Sequence, residues 1–311
     1  MKTKRIFALI TVILIIATNM YLVACNDTLP ASTAGLTFSK NPDGNSYTLT
    51  GIGSCSSNEI IVSTYKNKPV TSIDKFAFYM CEKIKKVTLC NTITTIGELA
   101  FSFCSNLNSV ILSDGVTTID SYAFADCYKL ENVNIPNGVK HIGDYAFSNC
   151  PNLEKITIPS SVTSIGDAPF SYCDKLQSIE VSIENANYCS VDGNLYNKNK
   201  TKLIQHVCGN QNTTFSLPNT VSTIGKHAFY GCHKLNNFIV PNNVTYIGEG
   251  AFYFCQNFNT IVIHNNVTFI GKDAFYGCSK LTIRCASSSK PKGWDNSWNS
   301  SNCSVEWGYT K

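Results

Sequence analysis

Fifteen cysteines and five histidines carry the most reactive side chains in this 311-residue chain. Thiols can cross-link, bind metal or attack an electrophile, and imidazoles can serve as bases or ligands. The spacing argues against each of these roles. Cys81, Cys104, Cys127, Cys150, Cys173, Cys232, Cys255 and Cys278 follow one another at intervals of 23 residues, with a single interval of 59. No Cys-x-x-Cys pair occurs, and His141, His206, His227, His233 and His264 show no ligand spacing. His227 and His233 straddle Cys232, but that cysteine belongs to the periodic column, which favours packing over a Cys/His nucleophile. A Gly-x-Ser-x-Gly turn, a phosphate-cradling glycine loop and a repeated acidic pair are all missing. The sequence therefore predicts no enzyme, no metal and no cofactor.

The elements that position the cysteines keep the same beat. Ile73, Ile96, Ile119, Ile142, Ile165, Ile224, Ile247 and Ile270 share the interval, as do Phe78, Phe101, Phe124, Phe147, Phe170, Phe229, Phe252 and Phe275. Such periods mark solenoids, in which one coil cannot bury its own apolar face and must stack on its neighbours. Within a coil, Leu130, Val133 and Ile135 predict a short strand with Asn134 pointing outward between the last two. Ile142, Ala146, Phe147 and Cys150 fall at i, i+4, i+5 and i+8 and predict a short helical segment. Pro136, Pro159, Pro218 and Pro241 stop strand pairing for want of an N–H. The Gly after each repeat Ile suits a tight corner, with Asp74 and Asp120 replacing it. Coils about 4.8 Å apart would place the eight cysteines in one line with their Cβ atoms pointing the same way. That arrangement suits buried free thiols acting as small apolar residues.

The repeated Ile-Gly-x-x-Ala-Phe-x-x-Cys-x-x-Leu core, followed by a strand and Pro, resembles the BspA-like leucine-rich repeat proteins over about residues 36–311. These are bacterial and protozoal surface proteins. The resemblance implies an α/β leucine-rich repeat solenoid with a parallel β-sheet on the concave side and short helical segments on the convex side. It also implies a surface role in adhesion and in binding host or matrix proteins, although no short binding motif carries over. Pro169 stands where the repeat Ala belongs, and Cys90 and Ser113 stand at the post-strand Pro position.

The remaining segments divide the chain. Residues 1–24 read as an export signal: Lys2, Lys4 and Arg5, then an apolar stretch from Ile6 to Ile16. Leu22-Val23-Ala24-Cys25 looks like a lipobox, so Cys25 is the expected lipidation site of a membrane-anchored lipoprotein. Residues 25–35 are a tether, and residues 36–69 a hairpin N-terminal cap with the first coil, whose strand is expected at Glu59 to Val62. The solenoid spans residues 70–285 with a hairpin insertion at about 186–210, where Asp192-Gly193 supplies the turn. Arg284 at an expected core position takes Leu281, Ile283 and Cys285 out of register. Residues 286–311, with Trp294, Trp298 and Trp307, form the C-terminal cap. Cys285 and Cys303 flank that region and could pair there, but spacing leaves their connectivity open.

Outward strand positions supply the candidate binding face. One column runs Lys86, Ser109, Asn132, Lys155, Ser178, Asn237 and Thr260; its neighbour runs Thr88, Ile111, Asn134, Thr157, Glu180, Ile239 and Val262. Lys86 and Lys155 read as isolated positive charges, and Ile239 with Val262 as an apolar end. The formal charge of +4 falls to +1 without the three basic signal residues, and no basic stripe points to nucleic acid. The expected partners are a protein ligand and, through the lipid, a membrane. The alternative is a structural surface antigen or spacer with no ligand.

Overall fold

The computed structural model describes residues 30–209 and 216–310. The export signal, Cys25 and residues 26–29 of the tether lie outside the described residues. Each repeat contributes two short parallel strands to a stacked coil. Glu59–Val62, Lys86–Leu89, Ser109–Ile111, Asn132–Val133, Lys155–Ile158 and Ser178–Val181 pair in that order into one sheet. Lys68–Ile73, Thr95–Ile96, Thr118–Ile119, His141–Ile142 and Ser164–Ile165 follow one another in a second sheet. The 23-residue interval is the stacking register, so Ile142 pairs with Ile165 and Lys155 with Ser178. Strand alternation buries Ile156 and Ile158 and turns Lys155 and Thr157 outward.

The expected helical segments are absent: among the described residues there is no α-helix. Ile142 ends a strand of the second sheet, and the residues up to Cys150 run as successive turns. A helix with its side chains is about 10 Å across and would splay successive coils apart on this side, whereas the turns keep them close enough for direct hydrogen bonds between coils. The backbone instead alternates its donors. Tyr122, Phe124 and Asp126 give their N–H groups to Asp144 O, Ala146 O and Ser148 O of the next coil, at 2.8, 2.8 and 2.9 Å. Ala123 and Ala125 give theirs to Asp120 O and Tyr122 O within the turn, at 3.2 and 3.1 Å. This turn ladder buries the same residues that a helix face would have buried, which is why the apolar pattern pointed to a helix. It forces Tyr122 and Asp126 into left-handed backbone, with φ of +56° and +61°. Each such non-glycine residue costs roughly 1–2 kcal/mol, offset by the ladder it permits.

The core lies between the two sheets and the turn ladder. Phe101, Phe124 and Phe147 are fully buried, and their rings stack with centroids 5.1 and 5.3 Å apart. All eight column cysteines are unbridged, and only Cys81, at the first coil of the column, is not fully buried. Their thiols also do more than fill space. Cys127, Cys150 and Cys255 donate Sγ–H to the carbonyls of Phe101, Phe124 and Phe229 in the preceding coil, at 3.2, 3.2 and 3.0 Å. At Gly143 the glycine is required by close approach, since a Cβ there would lie 2.3 Å from Ser121 N, whereas Asp74 and Asp120 stand at the same repeat position in other coils. At the post-strand position Cys90 and Ser182 still donate N–H to the neighbouring strand, at 3.0 and 2.9 Å, a bond that Pro136 and Pro159 forgo.

At the N-terminal end Thr37–Lys40 and Tyr47–Gly51 form an antiparallel hairpin, and its second strand pairs in parallel with Lys68–Ile73. Glu59–Val62 is the first strand of the long-strand sheet. At the C-terminal end the register persists where its loss was expected. Ile283 and Cys285 pair with Ile261 and Ile263 and are buried, while Arg284 points outward to Glu306 at 2.8 Å. The repeat loses one residue before the strand, so counting by 23 placed Arg284 inside; the ladder realigns because strand hydrogen bonds outweigh the count. Cys285 and Cys303 do not meet. Cys285 lies opposite Trp307 in the ladder, and the Cys303 thiol donates to Cys278 O at 3.4 Å, prolonging the column. Trp294 and Trp298 are buried, with Trp294 Nε1–H donating to Val267 O at 3.0 Å.

The interruption forms one irregular coil. Tyr188–Val191 and Asn194–Asn197 make a hairpin around Asp192-Gly193, and Lys202–Gln205 follows, with Leu203 in register with Ile224. Leu195 and Tyr196 are fully buried, so the hairpin is packed into the stack. His206 takes the ladder place of the repeat Phe, donating its N–H to Ala228 O at 2.8 Å. The regular coils resume at Thr223–Ile224 and Asn237–Ile239.

Candidate interaction surfaces

The long-strand sheet holds the predicted face. Lys86, Ser109, Asn132, Lys155 and Ser178 are successive register partners, and Asn237 pairs with Thr260. The column is broken between Ser178 and Asn237, because Ser178–Val181 is the last strand of its sheet. In the second column Thr88 pairs with Ile111, Thr157 with Glu180 and Ile239 with Val262. Asn134 is exposed but unpaired, since the strand Asn132–Val133 ends before it. Two readings of this face need correction. Thr88 is buried, its short side chain set between Ile61 and Ile111 in the ladder. Lys155 is not an isolated charge: its Nζ lies 2.7 Å from Glu180 Oε1, a pair too exposed to add much stability. Lys86 makes no ion pair among the described residues. The columns also run further than expected, to Glu59 and Ile61 at one end and to Arg284 and Glu306 at the other. Around the short Asn132–Val133 strand, Ser109, Ile111, Asn132 and Asn134 line a hollow of about 430 Å³.

A second concavity lies on the turn side, where the irregular coil separates the two runs of repeats. Its volume is about 570 Å³. Tyr122, Tyr145 and Tyr172 come from the first run, and His227, Tyr230 and Tyr253 from the second. Tyr145 Oη and His227 Nδ1 are 2.9 Å apart across 82 residues of sequence. The Tyr172 ring lies against Gly231, where a Cβ would come within 2.7 Å of it. Tyr230 meets Tyr172 and Tyr253 edge to face, at 4.8 and 5.2 Å. The sequence held a partial signal: Tyr122 and Tyr145 are 23 residues apart, as are Tyr230 and Tyr253, but their meeting needs the coordinates.

The reactive side chains are muted by their surroundings. Burial pushes the thiols of Cys127, Cys150, Cys232 and Cys255 well above their ordinary range. Burial lowers His227 to about 4 and His206 to about 3, so both are neutral near pH 7. Among the described residues no group of three or more His, Cys, Asp or Glu is placed to hold a metal ion, and no helix is long and apolar enough to cross a membrane.

A family model described as the BspA type leucine-rich repeat region matches residues 54–198 and 206–291, in six copies. A leucine-rich repeat protein from Bacteroides ovatus is 26% identical, with a TM-score of 0.56 over 83% of this chain and 71% of that one. The leucine-rich repeat protein of T. pallidum is 24% identical, with a TM-score of 0.51 over 74% of this chain and 91% of that one. One from Eubacterium ventriosum is 24% identical, with a TM-score of 0.50 over 91% and 96%. The last two share the fold alone. A search of the curated proteins found no match.

Proposed function

Because this chain belongs to the BspA-type leucine-rich repeat family, we propose that it is a protein-binding module displayed at the cell surface. Its contact face in this reading is the long-strand sheet, its anchor is a lipid on Cys25, and its role is adhesion to host or matrix protein. The observation that carries the reading is the run of outward side chains from Glu59 to Ser178 held in one ladder register. Such a surface is broad, rigid and shallow, with mixed charge and no convergent catalytic group. It suits protein contact better than small-molecule chemistry.

The purified protein, offered to immobilised matrix and cell-surface proteins, should retain at least one of them. Reversing Lys86 and Lys155 to Glu should then weaken that binding by about tenfold, mainly through slower association. Undiminished binding would move the contact off this sheet, and binding to nothing in the panel would favour a spacer. For the anchor, Cys25→Ala protein should shift from the membrane fraction to the soluble one. Continued partition with membranes would remove the lipid from the proposal.

A further inference from the structure

The turn-side cleft has a chemistry of its own, separate from the sheet face. Its walls are aromatic faces and carboxylates. Asp126, Glu249 and Asp273 line it, with no lysine or arginine among the lining residues. Two lysines stand at the rim, Lys226 at 3.5 Å from Glu249 and 3.9 Å from Asp167, and Lys272 at 3.9 Å from Asp273. Asp144 acts electrostatically on His227 and Lys202 on Asp167, so five carboxylates face three lysines and a surplus of two negative charges remains.

The cleft is also built in advance of any ligand. The Tyr145–His227 contact and the Tyr172–Gly231 packing tie its two walls together, and Asn149 Nδ2 donates to Asp126 Oδ1 at 2.6 Å. That bond orients the Asp126 carboxylate and leaves acceptor capacity on it. Tyrosine faces attract cations, and a guanidinium can stack on a ring while donating to carboxylates in its own plane. A volume of about 570 Å³ falls within the range of preformed ligand pockets.

We propose that this cleft receives arginine side chains presented by a basic peptide segment of a partner, stacked on Tyr230 and Tyr253 and paired with Asp126 and Glu249. Neutral sugars also favour tyrosine walls, but they would leave the surplus charge unmatched. His227 adds no opposing charge near pH 7, its burial keeping it neutral.

A tetra-arginine peptide and its tetra-citrulline counterpart, which keeps the shape and loses the charge, decide the matter by calorimetric titration of the full chain. Tetra-arginine should bind at least about tenfold more tightly than tetra-citrulline. The double variant Asp126→Asn, Glu249→Gln should lose about tenfold in affinity for tetra-arginine, whereas Glu82→Gln, Glu184→Gln, removing equal charge elsewhere, should lose little. Tyr253→Leu provides an independent check with all charges kept, and should also weaken binding. Equal binding of the two peptides, or equal losses in both double variants, would overturn the proposal. Binding of a neutral oligosaccharide in place of tetra-arginine would overturn it as well.

Discussion

Met80 is more than half exposed yet sits at φ +59°, and that pairing isolates the backbone term of the turn ladder. A surface substitution ordinarily changes stability by no more than about 0.5 kcal/mol. Met80 already carries the left-handed cost, so Met80→Val, by adding a β-branch there, should lower stability by about a further 1 kcal/mol, twice the surface norm, in a urea titration, while Met80→Gly should not lower it. Equal effects of the two would mean that this position relaxes out of the turn. The residue types that mark the coil were legible in the sequence; the left-handed positions were not. Phe76, Leu99, Tyr122 and Tyr145 all occupy such positions, and none belongs to the types that ordinarily announce them.

Within one coil, each element is defined by what the next coil demands of it. Phe147 stacks between Phe124 and Phe170, at 5.3 and 5.7 Å, and Phe147→Ala should cost about 3–5 kcal/mol in denaturant titrations. Gly143→Ala, a single methyl, should cost roughly 1–3 kcal/mol because the intruding Cβ meets backbone that cannot swing aside. A loss below about 0.5 kcal/mol there would show that the coils separate easily. The apolar spacing of this segment marks a buried face, and a turn ladder produces the same spacing as a helix. Burial pattern alone does not say whether an N–H bonds along its own chain or to the chain above.

Across the whole molecule, stacking gathers buried titratable groups whose combined behaviour sets the pH range of stability. The buried thiols of Cys127, Cys150, Cys232 and Cys255 keep their protons in the folded state well past their ordinary value near 9. Above that value the unfolded chain releases protons that the folded chain retains, so stability falls as pH rises. The slope is about 1.4 kcal/mol per pH unit for each such thiol. Urea midpoints should therefore drop steeply between pH 8.5 and roughly 10.5, and native protein at pH 8 should resist alkylation at the buried column. Histidine acts at the other limb. His227, lowered to about 4, and His206, lowered to about 3, stay neutral when folded, so unfolded imidazoles bind protons first as pH falls below about 6.5. Stability is then lost progressively down through pH 4. A midpoint unchanged from pH 7 to pH 4.5 would mean that neither His227 nor His206 is held neutral by burial in the folded protein.

The interval of 23 residues determined, without coordinates, that coils stack and that Ile, Phe and Cys share one interior, since each coil is too small to bury its own apolar face. It also ordered the outward strand residues, because register in a parallel stack is the repeat length itself. Only the tertiary structure decided that the second half of each repeat is a turn ladder, since that choice depends on the spacing imposed by neighbours. Only the structure, too, brought Tyr145 to His227 and opened the tyrosine cleft. The irregular coil changes how two distant runs of repeats meet, and nothing local to either residue encodes that encounter.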